Sequence, residues 1–102
     1  MGKADTIAGA LLNGKIVDRY AEPGNSMVPI IKSRQPVKLE PIGTHILKVG
    51  DIVFCKVHGY HYTHKITAID HDRYQIGNNH GHINGWTTKD KIYGIVTKVY
   101  EA

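Results

Sequence analysis

The sequence predicts a mostly β protein, a small coiled antiparallel sheet or partial barrel with one short N-terminal helix. Short apolar runs with a period of two recur along the chain, as in Val37-Lys38-Leu39-Glu40. Glycine, proline, asparagine and aspartate separate these runs at short intervals. The length of 102 residues, with 41% hydrophobic and 22% charged residues, is typical of one globular domain spanning 1–102.

The helix is predicted in residues 1–14, ahead of a β-domain that covers 15–102. It should run from Ala4 to Asn13, with Asp5 or Thr6 as its cap and Gly14 at its end. The β-domain should contain strands at 15–21, 36–42, 52–57, 60–69, 74–76 and 92–100. A reversal at His58-Gly59 should join two of them in a hairpin. Residues 77–86, rich in Gly, Asn and His, are predicted to form an exposed loop.

A serine lies on a sharp bend in Gly24-Asn25-Ser26-Met27-Val28-Pro29. Gly24 allows backbone angles that are closed to other residues, and Pro29 restricts both itself and Val28. A serine hydroxyl becomes a nucleophile when a neighbouring base takes its proton. The candidate base is His64, whose unperturbed pKa of about 6.5 suits neutral pH. Because neighbouring strand residues face opposite sides, only one of His64 and Lys65 can face Ser26.

Four blocks of the sequence resemble the LexA/signal-peptidase-like superfamily of serine peptidases, in that family's order. Gly24 to Pro29 is similar to its G-x-S-M-x-P box, and Val49-Gly50-Asp51-Ile52-Val53 to its GDIV strand. Thr63-His64-Lys65-Ile66 is similar to its base-bearing strand, while Gly77-Asn78-Asn79 and Tyr93-Gly94-Ile95-Val96 are similar to its closing blocks. The match covers roughly residues 16 to 100 and favours the branch that uses histidine as the base.

The resemblance implies a role for several residues. Ser26 would be the nucleophile, with its own N–H as an oxyanion donor, His64 the base, and Met27 and Pro29 would contact the substrate. Histidine-branch relatives carry an acid that orients the histidine, whereas this sequence has Asn84 or, in another register, Asn78. An amide oxygen can still accept the imidazole N–H but supplies no charge, so slow or absent activity is expected.

Other binding classes are less favoured by the sequence. The formal net charge is +4, yet Lys and Arg are scattered, and Tyr60, Tyr62 and Tyr74 are not set among clustered cations as a nucleic-acid surface requires. His80-x-His82 could bind a metal, but no Cys pair or HExxH motif accompanies it, so we expect no metal and no cofactor. The single Cys55 lies within a predicted strand, where a buried, inert thiol is expected.

The sequence therefore predicts a small peptidase-like protein that cleaves a protein or peptide substrate with a Ser26/His64 dyad. The sequence contains neither a membrane-spanning run nor a signal-peptide pattern, so a cytoplasmic or virion location is expected. The expected substrate is a protein partner in a phage or bacterial assembly. The alternatives are a catalytically silent binding or virion module, which could be a homo-oligomer, and a nucleic-acid-binding β-domain. The dyad hypothesis predicts a distance of about 2.6 to 3.2 Å from Ser26 Oγ to a His64 ring nitrogen, and a mostly exposed Lys65 ammonium that points away from Ser26.

Overall fold

A computed structural model describes residues 2–101, which form one helix and seven strands. The helix α1 covers Lys3–Leu12. The strands are β1 Val17–Tyr20, β2 Val37–Pro41, β3 Ile52–Val57, β4 Tyr60–Asp70, β5 Arg73–Gly77, β6 Ile83–Thr88 and β7 Ile92–Val99, and a 3-10 turn at Lys89–Lys91 precedes β7. The prediction of a mostly β fold with a short N-terminal helix is confirmed.

All seven strands belong to one antiparallel sheet, in the order β1-β2-β7-β3-β4-β5-β6. The edge strand β6 curls back toward β3, and the Thr87 hydroxyl of β6 donates a hydrogen bond to the Lys56 carbonyl oxygen of β3 at 2.8 Å. The sheet order puts β4 and β5 between these two strands, so the sheet is coiled into a partial barrel. Within residues 2–101, no helix is both long enough and apolar enough to cross a bilayer.

Strand β3 is covered on both faces, and its alternating side chains enter two separate cores. Val53, Cys55 and Val57 pack into the first core, inside the coil of the sheet. Phe54 packs into the second core, between the sheet and α1. A strand buried on both faces reads as a continuous apolar run, which is the pattern of Ile52 to Cys55. Burial raises the pKa of the Cys55 thiol to about 12, in agreement with the expected inert cysteine.

The helix approaches β7 at Gly94, and the absence of a side chain there allows the contact. A Cβ atom at this position would lie 2.8 Å from a methyl carbon of Leu11 and 2.9 Å from the carbonyl oxygen of Glu40. Leu11 is 2% exposed and is the helix residue buried most deeply in the second core. The helix therefore belongs to the same packed unit as the sheet.

Two predictions about local structure are wrong. Residues 77–86 were predicted to form a loop, but Ile83–Thr88 pairs with β5 as a strand. The helix cap is Gly2 without a side-chain hydrogen bond, so neither Asp5 nor Thr6 caps the helix. The hairpin at His58-Gly59 is confirmed, with positive φ angles of 49° and 84° at its two turn residues. Two such angles are typical of a type I′ turn.

Candidate active site

The serine turn, residues 24–29, follows β1 and is held by hydrogen bonds along its own backbone. Gly24 has a φ of +119°, which only glycine adopts without strain, and its N–H donates to Ser33 Oγ at 3.1 Å. The Ile31 N–H donates to the Met27 carbonyl oxygen at 2.9 Å. Met27 is 4% exposed and fixes the turn to the protein interior. Ser26, between these anchors, is half-buried.

Asn79 clamps the serine turn from the loop after β5. Its backbone N–H donates to the Ser26 carbonyl oxygen at 2.8 Å. Its side-chain amide nitrogen donates to the Val28 carbonyl oxygen at 3.0 Å. Sequence reasoning assigned Asn79 no role, although it belongs to the Gly77-Asn78-Asn79 block. The two bonds direct these carbonyl groups into the protein and fix the orientation of the turn.

His64 approaches the serine from the middle of β4. It pairs with Val53 of β3 and is 7% exposed. Its Nε2 atom lies 3.0 Å from Ser26 Oγ, so the predicted distance is confirmed. The candidate nucleophile and the candidate base are 38 residues apart in sequence, and the fold brings them into direct contact.

Asn84 completes a chain of side-chain hydrogen bonds. Its Oδ1 atom lies 2.7 Å from His64 Nδ1. Because an amide oxygen only accepts, Nδ1 carries the ring proton, and Nε2 of the neutral imidazole is left as the acceptor for the Ser26 hydroxyl. Sequence reasoning left Asn84 and Asn78 open as the third position, and it is Asn84 that contacts the histidine.

A β-bulge presents Asn84 to His64. Ile76 of β5 pairs with Gly85 of β6, and the next residue, Gly77, pairs with Ile83. Asn84 is therefore the extra residue of β6 at this point, without a direct partner in β5. Bulges re-aim side chains and recur beside active sites.

Burial lowers the pKa of His64 below its ordinary value of 6.5. The hydrogen bond that His64 donates to Asn84 and the negative charge of Glu22 oppose this shift, and the nearby His82 adds to it. Desolvation is the largest cause because a buried imidazolium loses its hydration. His64 is consequently neutral at pH 7, the protonation state that a general base requires.

Lys65 and Asn78 contact groups other than those expected. The Lys65 Nζ atom donates to Asn79 Oδ1 at 3.1 Å, and the residue is half-buried, so the prediction of a mostly exposed ammonium is wrong. Because Lys65 bonds Asn79, it supports the clamp on the serine turn. Asn78 does not contact His64. Its Oδ1 atom accepts the N–H groups of His80 and His82 at 2.8 and 3.0 Å and shapes the loop before β6.

A small cavity of about 30 Å³ adjoins Ser26, and we call it the Ser26 cavity. Its wall includes Met27 and Thr63, whereas Pro29 is exposed and lies outside the wall. The Thr63 hydroxyl oxygen is buried and has no hydrogen-bond partner within residues 2–101. Buried hydroxyls are usually satisfied, so this unpaired group points to a polar partner that enters the cavity.

The histidines of the loop before β6 have separate contacts. The Nε2 atom of His80 donates to the Asn25 carbonyl oxygen at 2.8 Å, which adds a further bond to the serine turn. In the part of the chain that the structure describes, no three His, Cys, Asp or Glu side chains are grouped as metal ligands.

Comparison of the chain with protein-family models, with curated proteins and with solved structures gives no match. The functional conclusion therefore depends on the geometry of the site.

Proposed function

We propose that the chain is a serine peptidase of the LexA/signal-peptidase-like kind, which cleaves a peptide bond in a protein or peptide substrate. The observation that carries the proposal is the unbroken contact from Ser26 Oγ to His64 Nε2 at 3.0 Å and from His64 Nδ1 to Asn84 Oδ1 at 2.7 Å. The three side chains come from a turn, an inner strand and a bulged edge strand. Nucleophile, base and orienting group in this arrangement are the diagnostic pattern of nucleophilic catalysis.

The reaction would proceed through an acyl-enzyme. Ser26 Oγ attacks the scissile carbonyl carbon while His64 Nε2 takes the hydroxyl proton, which gives a tetrahedral intermediate. His64 then returns that proton to the leaving amine as the carbon–nitrogen bond breaks. A water molecule attacks the resulting ester with the same histidine as base, and this step releases the acid product and the free serine. Asn84 keeps the imidazole in the required tautomer throughout.

The backbone of the serine turn offers donors for the negative oxygen of the intermediate. Within residues 2–101, the N–H groups of Ser26 and Met27 make no hydrogen bond to the chain. The carbonyl of Ser26 is meanwhile held in the other direction by Asn79. Free N–H groups beside a nucleophile form an oxyanion hole, and loss of one donor typically costs about 100- to 1,000-fold in rate.

The Ser26 cavity restricts the substrate residue next to the scissile bond. A volume of about 30 Å³ accommodates roughly two water-sized groups. The substrate side chain that enters should therefore be small, and the unpaired Thr63 hydroxyl favours one with a polar atom. Serine, threonine and cysteine are side chains that fit both criteria.

The proposal is tested by covalent labelling with a fluorophosphonate. Attack of Ser26 Oγ on phosphorus expels fluoride and adds one phosphonyl group, which intact-mass and peptide mass spectrometry locate. Ser26→Ala should abolish labelling. Ser33→Ala is the matched control, because Ser33 is the other serine of the sequence. Since Ser33 Oγ accepts the Gly24 N–H, this variant should slow labelling by less than about tenfold, the value of one hydrogen bond, without abolishing it.

Two further variants identify the base. His64→Ala should slow labelling by about 100- to 10,000-fold, the usual contribution of a general base. Lys65→Ala should slow it less than about tenfold, since Lys65 acts through Asn79. Labelling that survives His64→Ala would discard the dyad. Folded protein that resists labelling from pH 6 to 9, a window of about three units around the histidine pKa, would favour the silent binding module, a function consistent with the neutral Asn84.

A further inference from the structure

A second concave surface lies at the opposite end of the β3–β4 hairpin from His64. It has a volume of about 560 Å³ and is lined by residues of β3, β5, β6, the 3-10 turn and β7. We call it the basic cleft and define it by Lys56, His58, Arg73, Trp86, Lys91 and Tyr93. It shares no wall residue with the Ser26 cavity.

The basic cleft concentrates positive charge. Lys56, Arg73 and Lys91 line it, and no carboxylate does. Within residues 2–101, none of these three cations makes an ion pair with an acidic side chain. Lys56 is half-buried and extends from the inner strand β3 into this cleft. An anion bound in the cleft would supply that counter-charge.

Two aromatic side chains lie among these cations. Trp86 is half-buried, and the guanidinium carbon of Arg73 lies 5.6 Å from its ring centroid. Tyr93 is held by packing, with ring centroids 6.3 Å from Phe54 and 6.0 Å from His61. Aromatic rings fixed beside unpaired cations are the combination that binds a base and its phosphate together.

The backbone around the cleft permits this assembly. His58 has a positive φ at the hairpin turn, which brings its ring over β6. Glycine at position 85 leaves room for the His58 ring, because a Cβ there would lie 2.7 Å from His58 Nε2. The Thr87 hydroxyl ties β6 to the Lys56 carbonyl. The cleft is thus built by the coiling of the sheet, and its cations come from segments that are distant in sequence.

We infer that the basic cleft binds single-stranded nucleic acid, with phosphates paired to the three cations and a base stacked on the face of Trp86 that Arg73 does not cover. An acidic peptide would satisfy the charges but would bring no planar group to the indole. Duplex DNA presents its bases inside the helix, out of reach of Trp86. The sequence argued against a nucleic-acid surface because Tyr60, Tyr62 and Tyr74 are not set among clustered cations. The fold instead gathers three cations around two other aromatic residues, Trp86 and Tyr93. The inference is independent of peptidase activity.

Trp86 is the only tryptophan of the chain, so its fluorescence reports directly on the cleft. A titration with the oligonucleotide (dT)₁₀ at low salt should quench this fluorescence and saturate. Three phosphate contacts predict a slope of about −2 for log affinity against log salt, so that a rise from 50 to 200 mM salt weakens binding about 20-fold. Replacement of all three cleft cations by glutamine should abolish the salt dependence and most of the affinity.

The matched control replaces three exposed cations away from the cleft, as Lys15→Gln, Arg34→Gln and Lys98→Gln. It removes the same net charge and should retain most of the affinity. Trp86→Ala removes the ring on which the base would stack, so it should weaken binding about fivefold or more, as measured by anisotropy of a labelled oligonucleotide. A melting curve checks that this variant is folded.

Four outcomes would overturn the inference. The first is the absence of Trp86 quenching at low salt, and the second is an equal loss of affinity in the control and cleft variants. The third is binding of poly-glutamate as tight as that of (dT)₁₀, which would indicate an acidic protein partner. The fourth is binding of free dTMP as tight as that of (dT)₁₀, which would indicate a mononucleotide site.

Discussion

Asn84→Asp is the sharpest test of the proposed site because it adds one negative charge at the side chain that contacts His64 Nδ1. The amide oxygen lies 2.7 Å from His64 Nδ1, so a carboxylate there would have its charge about 4 Å from the centre of the imidazolium. Such a pair interacts by about 1 kcal/mol in water and about 4 kcal/mol at an effective dielectric constant of 20. Since Asn84 is half-buried, about 2 kcal/mol is a reasonable value for this site.

The sign and size of the effect follow from that energy. The added charge stabilises the imidazolium, so the pKa of His64 rises by about 1.5 units from its lowered value. Labelling needs neutral His64, so the midpoint of the rise in rate moves to higher pH by the same amount. The proton is only partly transferred in the transition state, so the plateau rate above this midpoint should increase by about 5- to 30-fold.

The assay is the fluorophosphonate labelling rate as a function of pH from about 5.5 to 9, a range that spans the histidine pKa. Asn78→Asp is the matched control, because Asn78 lies in the loop that precedes β6 and its Oδ1 atom accepts two backbone N–H groups instead of the His64 N–H. An unchanged midpoint and plateau in Asn84→Asp would refute the catalytic role of the Asn84 contact. Equal gains in the two variants would attribute the effect to the overall charge of the loop.

Three further predictions concern the clamp, pH and packing. Asn79→Ala should slow labelling of Ser26 about fivefold, the value of one hydrogen bond of about 1 kcal/mol, and an unchanged rate would show that the turn needs no side-chain clamp. The pKa of His64 is lower in the folded than in the unfolded chain, so the unfolded chain binds a proton at higher pH. The urea midpoint of unfolding should therefore fall as the pH drops below about 6.5, the ordinary pKa of histidine. His64→Gln should reduce this dependence of the midpoint on pH. Gly94→Ala should lower the free energy of unfolding by about 1 to 3 kcal/mol through overpacking against Leu11. Gly9→Ala should raise it by about 0.5 to 1 kcal/mol, because a Cβ at Gly9 meets nothing within 4 Å and alanine favours a helix. Urea denaturation measures both, and the same sign for the two variants would contradict the helix contact at Gly94.

Features set by a few neighbouring residues were predictable from the sequence. The bend at Gly24 and the hairpin at His58-Gly59 depend on local φ preferences, which glycine and short polar residues express wherever they occur. The strand around Leu39 follows from apolar periodicity, and the strand around Val53 follows from its continuous apolar run. The contact between Ser26 and His64 was predicted only because the resemblance to a known family linked two distant segments.

Tertiary structure decided the rest, because the deciding contacts depend on how strands pair. Residues 83–88 contain the strand-forming side chains Ile83, Trp86, Thr87 and Thr88, but Asn84 and Gly85 interrupt them. The segment forms β6 because β5 offers an unpaired edge. The one-residue bulge in that pairing selects Asn84 over Asn78 as the partner of His64, and no local pattern encodes a bulge in a strand that was not itself predicted. The coiling of the same sheet gathers Lys56, Arg73 and Lys91, which are scattered in sequence, around Trp86. The sequence by itself thus determined the bend that carries Ser26 and the strand that carries His64. The pairing of β6 determined that Asn84 lies beside His64, because side-chain proximity across a sheet is a property of register and not of sequence spacing.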